Sequence, residues 1–252
     1  MQFDLNGRVA LVTGGARDIG RAVVLELARS GAAVVVNYNR SEAKAEQVVS
    51  EVESAGGRAL AVRADVTEQD DVDRLVASAV EAFGDHIDIL VNNAGGLVAR
   101  RKMEEMDGDF WDEVLDLNLK SAFLVTRAVL PHMPSGGAIV NLSSLAARDG
   151  GGGGAIAYSV AKGGVLTFTR GLSKELAPRR IRVNCVSPGM IDTTFHDTFT
   201  PPQVRAAVAM KSSVGREGTP EDVANTVAFL ASDAAAYITG ESVEINGGVY
   251  FV

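Results

Sequence analysis

The chain has 252 residues, 46% of them hydrophobic and 22% charged, enough to bury one substantial core in a single domain spanning 1–252. Its 32 acidic side chains outnumber the 24 Lys and Arg, and the formal net charge of -8 excludes nucleic acid as the main partner, because phosphate binding runs on excess cations. One cysteine, Cys185, rules out an intramolecular disulfide, no apolar run approaches the roughly 18 residues of a membrane span, and the first residues are polar or charged, so a cytoplasmic protein without membrane association is expected.

In chain order, a short apolar run at Val9 to Val12 leads into glycines, then a helical pattern of Ile19, Val23 and Leu27, then a second apolar run at Ala32 to Val36. That is strand, helix, strand. The alternation repeats with a helix over Ser41 to Ser54, a strand at Ala59 to Val62, a helix over Asp70 to Phe83 and a strand at Ile87 to Val91. A helix over Asp109 to Leu130, a strand at Ala138 to Leu142, a helix from Tyr158 to Leu176, and strands near Ile181 to Val186 and Ser242 to Ile245 complete it. Near-continuous apolar strands separated by helices predict an α/β fold, a doubly wound parallel sheet of Rossmann type with about seven strands. Gly150 to Gly154 reads either as a surface loop or, lying just before Tyr158, as the rim of a pocket. The stretch 190–218 is the least regular and is the expected substrate lid.

Directly after the first strand, Thr13-Gly14-Gly15-Ala16-Arg17-Asp18-Ile19-Gly20 opens a helix. Glycines there let the backbone approach a pyrophosphate, and the helix N-terminus offers unpaired amides and a partial positive charge. The second strand ends in Asn37, Tyr38, Asn39, Arg40 and Ser41, with no acid for the ribose hydroxyls of NAD. Arg40, with small polar donors and Arg17 nearby, suits a 2′-phosphate, so NADP(H) is favoured and NAD(H) remains open. Two solvated arginines touching nothing are the plainer reading.

Tyr158 and Lys162 stand four apart in a helical stretch and share one face. A phenol with a reference pKa of about 10 is a poor acid/base at neutral pH, and a nearby ammonium is expected to lower that value. Ser144 ends the strand Ile139 to Leu142, at the carboxyl edge of the sheet where such folds bind ligands, and its hydroxyl can hold a substrate oxygen. No metal is called for.

These residues resemble the short-chain dehydrogenases/reductases over essentially the whole chain. The resemblance is carried by Thr13 to Gly20, Asp65-Val66, Asn92-Asn93-Ala94-Gly95, Asn118, Ser144, Tyr158 with Lys162, Pro188-Gly189 with Thr193, and Thr239-Gly240. It implies a nicotinamide nucleotide held by Gly14, Ala16, Arg17, Asp18, Ile19 and Gly20, with Tyr38, Asn39, Arg40 and Ser41 at the ribose and Asp65 and Val66 at the adenine. Asn92, Ala94 and Gly95 would also belong to the cofactor site, Asn92 by steadying the central strand, Tyr158 and Lys162 would contact the cofactor, and Pro188, Gly189, Ile191 and Thr193 would sit beside the nicotinamide. Asn118, Ser144, Tyr158 and Lys162 would be catalytic, Asn118 through a water leading to Lys162, in a homotetramer built through helices and the C-terminal strand. Three departures stand out: Asp18 replaces a usual glycine, the segment from Ser144 to Tyr158 is one residue longer than usual, and the usual NAD acid is absent.

The substrate is less determined. Arg100, Arg101 and Lys102 form a cationic cluster on the loop after the fourth strand, which reads equally as a recognition site for an anionic group or as a solvated helix start. Asn92 to Lys102, Gly150 to Tyr158 and Pro188 to His196 are similar to reductases of the keto-deoxy-uronate released in alginate breakdown, which makes a small anionic keto-sugar the expected substrate and adds His196 to its contacts. The alternative is a 3-oxoacyl-[acyl-carrier-protein] reductase, similar in Val35 to Ser41 and Arg170 to Gly189. A non-catalytic nucleotide-binding redox sensor is the rival of another class, and it gives no reason to keep Asn118, Ser144, Tyr158 and Lys162 together.

Overall fold

A computed structural model describes residues 3–252. The strands are β1 (Val9–Val12), β2 (Ala33–Tyr38), β3 (Arg58–Arg63), β4 (Ile89–Asn92), β5 (Ala138–Leu142), β6 (Arg182–Pro188) and β7 (Ser242–Ile245). They form one sheet in the order β3-β2-β1-β4-β5-β6-β7, every neighbouring pair parallel. The order reverses between β1 and β4, and a crevice opens outside the carboxyl ends of the strands at that switch point.

The apolar runs explain the layering. β1, β2, β4 and β5 are buried along their whole length, as strands covered on both faces must be, while β3 and β7 at the two edges are only partly covered. The helices are α1 (Asp18–Arg29), α2 (Glu42–Ser54), α3 (Gln69–Phe83), α4 (Gly108–Leu115), α5 (Ser121–Val129), α6 (Ala146–Asp149), α7 (Ile156–Glu175), α8 (Thr194–Phe199), α9 (Pro202–Lys211) and α10 (Pro220–Ala231). One core cluster joins α1, α2 and α10 to one face of the sheet through Val23, Leu27, Val48, Val223, Val227 and Leu230. A second joins α3, α5 and α7 to the other through Leu75, Val76, Val125, Val129 and Leu172. This is the doubly wound arrangement expected from the alternation of strands and helices.

Several elements differ from expectation, among them α6 and α10, which the predicted elements omit. The long helix predicted over Asp109 to Leu130 is interrupted by a π-helical turn at Asp116–Lys120, centred on the buried Asn118. The segment 190–218 contains the helices α8 and α9 instead of irregular chain. α9 buries none of its residues, so it has no apolar stripe by which to be read. The excursion closes on itself through a bridge between Ile191 and Gly218. Arg205 pins it internally, its guanidinium ion-paired with Asp192, Asp197 and Glu217.

Candidate active site

The glycine turn is braced from two sides. Asn37, a polar interruption at the end of the apolar β2, accepts from the Gly14 amide at 3.1 Å with Oδ1 and donates from Nδ2 to the Ala64 carbonyl at 3.0 Å. Across the switch point, Asn93 donates to the carbonyls of Thr13 and Gly14 at 2.8 and 3.0 Å, and the Thr13 hydroxyl accepts from the amides of Asn93 and Ala94. Gly20 allows the close approach on which the turn depends, because a Cβ there would lie 2.2 Å from the Gly14 carbonyl oxygen. The braced turn therefore presents α1's first amides to the crevice.

At the carboxyl end of β5, Ser144 stands beside the Tyr158 hydroxyl, and its own hydroxyl accepts from the Ala146 amide at 3.1 Å. Lys162, one helical turn beyond Tyr158 on α7, is 4% exposed, and its ammonium donates to the Leu142 carbonyl at 2.8 Å. The same ammonium lies 5.7 Å from the centroid of the Tyr158 ring. Burial pulls Lys162 down to about 8, because a charge is disfavoured away from water. Burial pushes the Tyr158 phenol above its ordinary value, with the neighbouring Ser144 acting the other way. The lowering of Tyr158 by Lys162 anticipated from spacing is therefore absent from the bare protein.

These residues fit a nicotinamide nucleotide. Lys162 has three N–H donors and one acceptor among the described residues, leaving donors for ribose hydroxyls. Gly95 forms part of the floor, where a Cβ would come within 2.9 Å of the Lys162 ammonium and 2.7 Å of Asn118 Oδ1. Arg40 is exposed and makes no hydrogen bond or ion pair among the described residues, so its guanidinium is available at the end of β2. The donor set matches a dinucleotide with phosphates at one end and hydroxyls at the other.

The comparisons agree with this geometry. A family model described as Enoyl-(Acyl carrier protein) reductase matches residues 14–250. A 3-oxoacyl-[acyl-carrier-protein] reductase of a Synechocystis species is 43% identical over 252 residues, covering 97% of this chain and 98% of its relative. The crystal structure of a dehydrogenase/reductase from Sinorhizobium meliloti superposes with a TM-score of 0.94 at 37% identity, covering 99% of this chain and 98% of the other. The chain belongs to the short-chain dehydrogenase/reductase family. A metagenomic blue fluorescent protein crystallised with NADPH is also similar, at a TM-score of 0.92 and 35% identity over 98% of this chain and all of that one. As a short-chain dehydrogenase/reductase, the protein is an oxidoreductase of the CH–OH/C=O pair that uses a nicotinamide nucleotide.

Several anticipated contacts of this short-chain dehydrogenase/reductase are turned elsewhere. Asn92 points inward, donating to Thr126 and to Asn141, which in turn donates to Thr169, so it steadies the central strand by tying β4 to α5, β5 and α7, and its amide does not face the nucleotide. The Tyr38 ring is buried in the core with its hydroxyl on Glu42. The Ala16 and Ile191 side chains lie in that same core, leaving only their backbone to the crevice. Val66 packs in the opposite core, while the Asp65 carboxylate is held by Thr67 and by Asn39 at 2.8 Å, at the edge of the crevice. The Asn118 amide spends both N–H donors on the Gly96 and Val114 carbonyls and accepts from the Gly96 amide, which leaves one lone pair of its Oδ1 open. Asp18 binds Thr194, and the Thr193 hydroxyl turns back to the Ile191 carbonyl.

The cationic loop is likewise engaged. Arg100 donates to the Gly153 carbonyl at 2.8 Å and to the Phe199 carbonyl at 3.2 Å. Arg101 pairs with Asp107 at 3.4 Å and lies 4.3 Å over the Phe110 ring, while its backbone amide donates to Gly154. Of the three, only the exposed Lys102 has no side-chain partner among the described residues. The glycine loop is thus part of the rim, and Arg100 clasps it to the end of α8. His196 on α8 is fixed by Thr200 at 2.9 Å and held below the ordinary histidine value, first by burial and then by Arg205. Phe195, which the sequence pattern does not single out, lies with its ring centroid 6.0 Å from that of Tyr158.

Proposed function

We propose that the protein reduces the keto group of a 3-oxoacyl thioester, with NADPH as the preferred donor. The observation that carries the chemistry is the grouping of Ser144 and Tyr158 with the buried Lys162, whose ammonium lies 5.7 Å from the Tyr158 ring, at the switch point beside the glycine turn. In this reading Ser144 holds the carbonyl oxygen, Tyr158 donates the proton from its hydroxyl, and Lys162 binds the ribose while stabilising the phenolate left behind. The reduced nicotinamide supplies the hydride when bound. Gly14 to Gly20 hold the pyrophosphate, and Pro188 to Thr193 line the nicotinamide end. Arg40 favours the 2′-phosphate, supported by the missing acid after β2 and by the NADPH of a structural neighbour, while Arg17 stays at the pyrophosphate turn. The excursion 190–218 acts as the cover of the substrate pocket.

The thioester is preferred over the keto-uronate for two reasons. The relative from Synechocystis and others from Staphylococcus are named as 3-oxoacyl-[acyl-carrier-protein] reductases, and neither name points to a uronate. Arg100 and Arg101, the physical basis for a carboxylate site, are engaged by the protein itself.

The test is loss of NADPH absorbance with a short 3-oxoacyl thioester, a keto-uronate and a neutral ketone, in the wild type and in Tyr158→Phe. Turnover of the thioester should exceed the others, and Tyr158→Phe should lower it by about a thousandfold while NADPH still binds. Preference for the uronate would reject the substrate assignment. Substantial activity in the phenylalanine variant would reject the proton donor.

A further inference from the structure

Asp18 opens α1 with a φ of 51°, in the left-handed region that residues other than glycine adopt at a cost. Among the described non-glycine residues it shares this only with Val98 and Arg180. A strained side chain kept in place is expected to be held by contacts, and Asp18 has them. Its Oδ2 accepts from the Thr194 hydroxyl at 2.6 Å, and its Oδ1 accepts from the Thr194 amide at 3.1 Å. The Thr194 hydroxyl in turn accepts from Arg17 at 3.3 Å, so both residues of the turn grip one threonine.

Thr194 begins α8, the first helix of the excursion. The next residue, Phe195, places its ring beside that of Tyr158, and Phe199 at the helix end accepts from Arg100. Two clasps therefore fix α8, one on the glycine turn and one on the rim. A glycine at position 18 would adopt the backbone angle freely but would offer no acceptor to Thr194.

We propose that Asp18 is a positioning residue for the carbonyl substrate, its carboxylate latching α8 to the nucleotide-binding turn so that Phe195 is held against Tyr158. This rests on the reading of the crevice as a reductase site. The latch makes the wall of the carbonyl pocket depend on a residue of the cofactor turn, 176 positions away in the chain. It also accounts for an acid near the pyrophosphate position, since the charge is directed at two donors and lies 3.8 Å from the Arg17 guanidinium.

The test compares Asp18→Gly with Asp18→Asn by amide hydrogen exchange of residues 193–200 in the ligand-free protein, followed by steady-state kinetics. Asp18→Gly should speed exchange there and raise KM for the 3-oxoacyl thioester by about tenfold, a larger change than that in kcat. Asparagine tolerates the left-handed angle, can accept from the Thr194 amide and can donate to its hydroxyl, so Asp18→Asn should restore both exchange protection and KM. Unchanged exchange and KM in Asp18→Gly, or equal impairment in both variants, would overturn the latch. If the wild type failed to bind NADPH or to turn over, the reductase reading would fall, while the exchange comparison would still decide whether Asp18 holds α8.

Discussion

Lys162 buries an ammonium that donates to a single carbonyl, and its pKa near 8 measures what that costs. The folded protein binds this proton less tightly than the unfolded chain does. The buried charge therefore destabilises the fold below about pH 8, and the deficit fades as pH rises from there toward the ordinary lysine value. Lys162→Met keeps the length of the side chain and removes the charge, leaving only the Leu142 carbonyl short of a partner. It should abolish turnover yet stabilise the fold by about 2 kcal/mol at pH 7, with the gap closing near pH 10. Denaturant melts at the two pH values measure this. A variant no more stable than wild type at pH 7 would mean that the ammonium is well solvated in the bare protein.

Among the elements, α10 shows how a terminus far from the chemistry supports the site. Thr219 caps it, Pro220 takes the first helical position, and Asp222 reaches back to the Thr219 amide at 2.7 Å. Asp222 also pairs with Arg216 at 2.6 Å, and that guanidinium is the main reason its carboxyl is held down to about 2. The helix packs on α1, which carries the glycine turn, and it starts just after Gly218, where the excursion closes. The folded state holds this carboxyl's proton less tightly than the unfolded chain, so its stabilisation is present above the ordinary carboxylate value and is lost as pH falls toward about 2. The side chain is a third exposed, so screening keeps the effect small. Asp222→Ala should cost about 1 kcal/mol at pH 7 and much less at pH 2, read by urea melts. An equal loss at both pH values would assign the effect to packing instead of charge. Neither α10 nor α9 is among the elements expected from the sequence, and α9, with no fully buried residue, has little apolar face to betray it.

At the scale of the whole molecule, what could be read from the chain and what could not divide along a physical line. The alternation of buried strands and helices, the glycine turn and the Tyr158–Lys162 spacing are local patterns, and they specify the sheet and the centre of the crevice. The contacts that shape its mouth join residues far apart: Arg100 to Gly153 and Phe199, Asp18 to Thr194. A loop arginine that clasps a carbonyl and one that is solvated look alike until the chain is folded. The two arginines expected to read a 2′-phosphate illustrate this, for Arg17 proves to be tied to Thr194 while Arg40 has no partner among the described residues.

The cofactor preference consequently falls chiefly on Arg40, and the stability of the whole fold reports it. A ligand that binds only the native state at a hundred times its Kd stabilises by about 2.7 kcal/mol, which for a chain of this length raises Tm by roughly 5–10 °C. At equal concentration NADPH should raise Tm more than NADH, because the 2′-phosphate gains a charge-assisted contact that the bare ribose lacks. Arg40→Asp should remove that advantage and enlarge the NADH shift, since an acid there can accept from the ribose hydroxyls. Arg17→Ala should weaken both nucleotides more evenly, its guanidinium being held at the pyrophosphate turn by Thr194. A larger shift with NADH in the wild type would overturn the preference for the phosphate, and no shift with either nucleotide would remove the dinucleotide from the crevice altogether.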